Sequence, residues 1–132
     1  MSQEWDDRGI RQRRIIAFMS DEEFTDWWAL LQAYLKPNTP IRHWSAAKGY
    51  LAGSFEASPG PYSSHACVRV EGPKRTHIYQ RLIFGSDFRA VLRCWNDYCD
   101  GIISRRSVDA LTTHSTYVVS IIRWLEEEAG KA

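Results

Sequence analysis

Residues 88–128, FRAVLRCWNDYCDGIISRRSVDALTTHSTYVVSIIRWLEEE, contain three short helical patterns separated by turn residues. Ser86 can cap the first helix, and Gly101 is suited to end it. The second pattern covers residues 104–112 and the third covers residues 115–129. Helical spacing gives the third pattern a clean apolar stripe, formed by Val118, Ile121, Ile122 and Leu125. The stretch therefore predicts three helices that pack together.

The segment before this stretch predicts two more helices and an exposed loop. Ser20 and Glu23 form a capping-box pattern that opens a helix, and Pro37 stops it. Residues 41–52, IRHWSAAKGYLA, predict a second and weaker helix. The run that follows, SFEASPGPYSS, is rich in Ser, Pro and Gly and predicts an exposed loop.

Two runs of alternating residues predict a β-hairpin between the helical parts. HACVRV at residues 65–70 and THIYQRLIF at residues 76–84 are rich in β-forming residues, and EGPKR between them suits a turn. The predicted fold is mostly α within the α+β class, with about five helices and one antiparallel hairpin in a single domain, residues 1–132. Four parts are predicted: an arm or short first helix (1–14), a helical front half (20–53), the hairpin (65–84) and a helical C-terminal part (87–129).

The composition is that of a soluble globular domain. The chain has 132 residues, a formal net charge of +1, 44% hydrophobic and 25% charged residues. No apolar run approaches the roughly 20 residues that a membrane helix needs, and no secretory signal pattern is present. Three Cys within apolar patterns predict reduced thiols, so a cytoplasmic location is expected. The balanced charge does not indicate nucleic acid by itself, although the arginines cluster and could form a basic face.

Residues 104–123 have the layout of a helix-turn-helix unit. Such units need apolar residues at fixed points, because two helices pack at a steep angle while the second stays exposed to DNA. Val108 and Leu111 would form the buried face of the first helix, and Val119 and Ile122 would pack the second. The spacing therefore predicts a recognition unit at the C-terminal end.

Seven residues fall at the spacings of a known pattern: Tyr98, Gly101, Ser104, Val108, Ser115, Val119 and Ile122. On these residues the segment 88–128 resembles the helix-turn-helix of sigma-factor region 4 and related phage transcription regulators. The resemblance covers less than a third of the chain, which departs from the pattern at Asp109, Thr112, Thr113 and His114. The resemblance implies a small DNA-binding transcription regulator, encoded by a phage or mobile element, with double-stranded DNA as its partner.

The resemblance also implies a set of DNA contacts. The candidates within the unit are Arg105, Arg106, Thr116, Tyr117 and Arg123, and Ser120 would share their exposed face. Further basic residues would assist on the phosphates, namely Arg11, Arg13 and Arg14 in the arm and Lys74 and Arg75 in the hairpin turn. Binding of this kind weakens steeply as the salt concentration rises.

A plain helical hairpin that completes a core explains the same spacing. In that case we expect a protein-binding module, such as an inhibitor of a host enzyme or defence complex of the anti-CRISPR type, or an assembly subunit. Six Trp and 13% aromatic residues are compatible with a contact surface of this kind. A homodimer is compatible with either function.

Catalytic and metal chemistry find little support in the sequence. His65, Cys67 and His77 could converge as zinc ligands, or as a Cys–His pair, if the hairpin brings them together. Neither a paired-ligand spacing nor a local nucleophile signature surrounds them. The sequence therefore predicts no enzyme activity, no cofactor and no metal.

Overall fold

The computed structural model describes residues 20–60, 65–71 and 78–131, which form five helices and a four-stranded antiparallel sheet. In chain order the elements are α1 (Asp21–Tyr34), β1 (Thr39–Ser45), β2 (Gly49–Pro59), β3 (His65–Glu71), β4 (Ile78–Phe84), α2 (Gly85–Leu92), α3 (Trp95–Cys99), α4 (Arg105–Asp109) and α5 (Ser115–Gly130). The predicted α+β class with about five helices is confirmed. The sheet has four strands in the described residues, where the sequence predicted one hairpin.

Helix α1 begins where its sequence predicts. The Oγ of Ser20 accepts a hydrogen bond from the backbone N–H of Glu23 at 3.1 Å, and Oε1 of Glu23 accepts one from the N–H of Ser20 at 2.7 Å. These bonds satisfy donors that the first helical turn leaves unpaired. The helix ends at Tyr34, before Pro37, and buries Leu31 in the core. Neither α1 nor any other helix of the described ranges is long and apolar enough to span a membrane.

The predicted hairpin of residues 65–84 is confirmed as β3 and β4. These strands pair antiparallel from His65 opposite Phe84 to Glu71 opposite Ile78. The strand order β1-β2-β3-β4 makes the sheet a simple meander, in which each strand pairs with its neighbour in the chain. Ile83 of β4 is fully buried, whereas the residues on either side of it are exposed. This alternation directs one face of β4 into the core.

The predicted helix over residues 41–52 is wrong, because this segment forms β1, a turn and the start of β2. Ile41 lies opposite Phe55 in the adjacent strand and both are buried, whereas Arg42 is exposed. Gly49 has a φ of 74°, which glycine adopts without steric cost and which suits a turn. Burial of Ile41 in the core therefore outweighs the modest helix propensity of the Ala-Ala-Lys run. The front half of the chain is accordingly a helix followed by a hairpin.

The C-terminal helices begin close to the predicted caps, with local differences. The predicted first helix is divided into α2 and α3, and α2 begins before Ser86. The backbone N–H of Phe84 donates to Oδ2 of Asp87 at 3.1 Å, so the aspartate closes the first turn instead of the serine. Ser104 caps α4, since its Oγ accepts from the N–H of Ser107 at 3.3 Å.

Helix α5 is the central helix of the core. It contacts β1, α1, α2 and α4. Its buried residues are Ser115, Val118, Val119, Ser120, Ile121, Ile122 and Leu125. The predicted apolar stripe is therefore one part of a wider buried surface. A helix with partners on several sides is a central part of the scaffold.

Candidate binding surface

Arg105, a predicted DNA contact, is held by three neighbours. Its Nε donates to Oδ1 of Asp109 at 2.9 Å, its Nη1 to the hydroxyl of Tyr98 at 3.4 Å and its Nη2 to Oγ1 of Thr116 at 3.4 Å. These partners come from α4, α3 and α5. The guanidinium group thus links three helices, which is a structural role whatever else it binds.

Asp109 explains one departure from the sigma-factor pattern. Besides Arg105, its Oδ1 accepts a hydrogen bond from the hydroxyl of Ser115 at 2.6 Å. The hydrogen bond from Ser115, and then the bond to and charge of Arg105, lower the pKa of the Asp109 carboxyl against the opposing effect of burial. An ionised carboxylate therefore joins the end of α4 to the first residue of α5. The resemblance implies a small residue here, whereas this chain uses a charged one to fix the two helices.

Arg123 is engaged at the sheet side of α5. Its guanidinium carbon lies 5.2 Å from the ring centre of Trp44, the geometry of a cation–π contact. Its Nη1 lies 3.6 Å from the carboxylate of Glu126, and its Nη2 lies 3.2 Å from that of Glu127. Two carboxylates thus offset the charge that the sequence assigns to DNA phosphates.

Tyr117 and Ser120 also face the protein interior. The ring of Tyr117 packs against Phe55 and His43, with centroid distances of 5.1 and 6.0 Å. Ser120 is buried, and its Oγ accepts a hydrogen bond from the backbone N–H of Trp44 at 2.9 Å. The exposed face that the sequence predicts for these two residues is therefore packed on the sheet.

His43 is the titratable group at this contact between sheet and helix. Burial, and then the charge of Arg105, lower its pKa from 6.5. Its Nδ1 is buried without a hydrogen-bond partner among the described residues. A Cβ added at Gly53 would lie 3.1 Å from its Cδ2, so the ring occupies a closely fitted position. The imidazole is therefore favoured in its neutral form.

Arg106 and Thr116 are the predicted DNA contacts with exposed side chains. Other predicted residues lie outside the described part of the chain, namely Arg11, Arg13, Arg14, Lys74, Arg75 and His77. Within the described ranges, no group of three His, Cys, Asp or Glu is placed to share a metal ion. The zinc and Cys–His hypotheses, which need His77, thus stay untested.

A groove of about 800 Å³ lies between the β1–β2 turn and the loop from α3 to α4, and we call it the hairpin groove. Its apolar lining comes from Ala46, Ala47, Leu51, Tyr98, Cys99 and Ile103. Its charged lining residues are Lys48, Asp100 and Arg105. Ligand sites in proteins commonly combine an apolar lining with a few polar groups in this way, at volumes of roughly 300–1,000 Å³.

Local hydrogen bonds hold both sides of the hairpin groove. The backbone N–H of Ala46 donates to the hydroxyl of Tyr98 at 3.1 Å, which ties the β1–β2 turn to α3. Beyond Gly101, whose φ is 78°, the N–H groups of Ile102 and Ile103 donate to the carbonyl of Asp97 at 2.8 and 3.3 Å. Ile103 packs against the core, whereas Ile102 is 67% exposed. The loop therefore directs one isoleucine inward and its neighbour into solvent.

Sequence reasoning missed the hairpin groove because it placed residues 45–48 in a helix. The signal that could have revealed the turn is Gly49, followed directly by the β-forming Tyr50. The second side of the groove comes from residues 98–105, about fifty positions away in the chain. No local pattern connects two segments at that separation.

The resemblance to sigma-factor region 4 rests only on the seven residues quoted for it. Of the DNA contacts that this resemblance implies, some are exposed, some are packed against the protein and some lie outside the described ranges. The chain matches none of the family models, curated proteins or solved structures with which it was compared.

Proposed function

We propose that this chain is a protein-binding module that acts by contact with another protein. The observation that carries the proposal is how little of α5 is exposed: of its sixteen residues, Ser115–Gly130, only Thr116 and Gly130 are exposed, whereas a helix that enters the major groove of DNA needs a face free of other contacts. Fully burying a large aliphatic side chain stabilises a fold by about 1.5–3 kcal/mol. The aliphatic side chains that α5 buries therefore hold it in the core, and DNA would reach only the part of α5 that the neighbouring elements leave uncovered.

Ion pairing alone would not decide against DNA. Arg105 and Arg123 are partly exposed, and exposed ion pairs are worth only about 0–1 kcal/mol. Phosphates could compete for these groups. The position of the side chains is the stronger argument, because Tyr117 and Ser120 would have to leave the sheet to reach base edges.

Exposed apolar side chains supply the positive argument for a protein partner. In the described residues the large ones are Leu30, Tyr50, Leu82, Phe84, Ile102 and Leu111. Ile102 is the most exposed of them and lies directly beside the hairpin groove. Apolar anchors next to a preformed concave surface are typical of the centre of protein interfaces. An inhibitor of an enzyme or defence complex and an assembly subunit are the forms that such a module would take.

The test is capture of partners from a lysate of the cells in which the chain is made, before and after nuclease treatment. We expect a partner that survives nuclease and is lost with Ile102→Asp. The matched control is Leu30→Asp, an exposed aliphatic residue on α1 remote in the chain from the groove segments, which should leave capture unchanged. Equal capture by both variants, or loss of all partners after nuclease, would contradict the proposal.

A second measurement addresses DNA directly. Fluorescence anisotropy with a pool of random-sequence duplexes, at low and at moderate salt, should show no binding that depends on Arg106. Tight binding that falls steeply with salt and weakens with Arg106→Ala would instead support the transcription regulator implied by the sigma-factor resemblance.

A further inference from the structure

We infer that the hairpin groove receives an apolar side chain of the partner polypeptide, and that Lys48 binds an Asp or Glu next to that side chain in the partner. This inference rests on the proposed function and specifies the chemistry of the partner. Three features of the groove support it, namely the size and lining of the groove, the rigidity of the groove walls and the charges of the residues that line them.

The lining of the hairpin groove suits an apolar anchor. Ala46 and Ala47 are small, so they leave open space beside the larger Leu51 and Ile103. A volume of about 800 Å³ exceeds what one side chain needs and allows a short stretch of backbone to enter. The partly buried residues of this lining hold the shape, whereas Ala47 and Lys48 are exposed and accessible from solvent.

The walls of the groove are fixed before a partner arrives. Tyr98 is nearly fully buried, and its ring contacts Trp44 and Trp95 at centroid distances of 6.3 and 5.8 Å. Its hydroxyl accepts from Ala46 on one side and from Arg105 on the other. A groove of this kind loses little conformational entropy on binding, which favours recognition of a short segment.

The charges at the groove favour an acidic partner. The groove is lined by two cationic side chains, Lys48 and Arg105, and by one carboxylate, Asp100. Arg105 is already bound to Asp109. Within the described residues the ammonium group of Lys48 has no ion-pair partner, and it is therefore the group available to an incoming carboxylate. A basic residue placed at Lys48 would meet its like charge, which gives the groove selectivity as well as affinity.

The test is selection from a displayed library of random peptides on the intact protein. We expect the enriched peptides to share an apolar residue with an Asp or Glu beside it. Ala47→Trp fills the groove and Lys48→Glu reverses its charge, so each should weaken peptide binding by about tenfold or more. The matched controls Ala29→Trp and Arg93→Glu change exposed residues outside the groove and should leave the affinity unchanged.

Lys48→Glu alters an exposed side chain outside the core, so it decides the matter even if Ala47→Trp perturbs the turn. The inference is overturned if no peptide is enriched, if the enriched peptides are basic, or if they bind both groove variants as well as the parent. A parent dimer that Ala47→Trp converts to monomer in light scattering would make a second copy the occupant and also overturn it. Partner capture that depends on Ile102 but not on Ala47 or Lys48 would leave the proposed function standing and refute the groove.

Discussion

Replacing Ser120 by alanine is expected to destabilise the protein, because Ser120 Oγ is the hydrogen-bond acceptor for the backbone N–H of Trp44. Ser120 is 1% exposed, so water cannot substitute for the missing oxygen without entering the core. A buried donor left without a partner costs about 1–3 kcal/mol. Alanine is the better helix former by roughly 0.5 kcal/mol, which offsets part of this loss.

The net effect is a loss of about 1.5 kcal/mol, which for a domain of this size lowers Tm by roughly 4–8 °C. Differential scanning calorimetry and urea unfolding measure it. Ser86→Ala is the matched control, since Ser86 is an exposed residue of α2 and should show only the small gain in helix propensity.

This experiment separates the two interpretations of α5. A recognition helix would present Ser120 to DNA, and its loss would then leave stability unchanged. If Ser120→Ala is as stable as Ser86→Ala, the hydrogen bond from Trp44 to Ser120 does not anchor α5 to the sheet.

Three further predictions concern residues around the same helix. The free energy of unfolding should decline as the pH falls below 6.5, because His43 takes up a proton there in the unfolded chain but stays neutral in the folded protein, where its pKa is lowered. The decline should level off below the pKa of His43 in the folded protein. Urea unfolding across this range tests it, and a His43→Phe variant that keeps the full dependence would contradict it. Asp109→Asn should lower Tm by a few degrees, because its bonds to Ser115 and Arg105 become weaker. It should also reduce the loss of stability expected as the pH falls through 3.8 and then through the lowered pKa of Asp109 in the folded protein. An acid titration followed by circular dichroism that is the same for the variant and the parent would exclude this role. Gly49→Ala should lower the free energy of unfolding by about 1–2 kcal/mol, because a φ of 74° strains any L residue although the space around Gly49 is open. An unchanged Tm would show that the turn relaxes to a backbone conformation that alanine tolerates.

Local signals predicted much of the fold. The Ser20–Glu23 capping box identified the start of α1, and the alternation in residues 65–84 identified the β3–β4 hairpin. The apolar spacing in residues 115–129 identified α5. Each of these elements carries its determining residues within its own few turns or strand positions, so one sequence suffices to find it.

The first hairpin escaped prediction for a physical reason. Ile41 forms a strand because Phe55 lies opposite it and both are buried, and Phe55 sits in a run of Ser, Gly and Pro that is typical of a loop. Strand formation depends on such cross-strand partners more than on intrinsic preference. A strand whose partner is itself hard to recognise therefore cannot be assigned from its own residues.

The candidate surface was predictable only in its components. The i,i+4 spacing of Arg105 and Asp109 is visible in the sequence as an ion pair within one helix. That the same arginine reaches Tyr98 and Thr116 follows only from the packing of three helices. Likewise, Lys48 and Ile103 line the same groove only because the fold brings their segments together, which no local sequence pattern predicts.

The irregular pairing of β1 has a consequence for how the protein avoids aggregation. In the described sheet β1 lies at an edge, and the edge of a sheet presents backbone donors and acceptors to which another chain can add a strand. The register shifts between Arg42 and Trp44, and the N–H of Trp44 donates inward to Ser120. The irregular register at this point of the edge strand, together with a backbone donor already used, interrupts the repeat that an intermolecular strand would need. The residue pair that anchors α5 to the sheet thus also protects one edge of the protein from fibre-like growth.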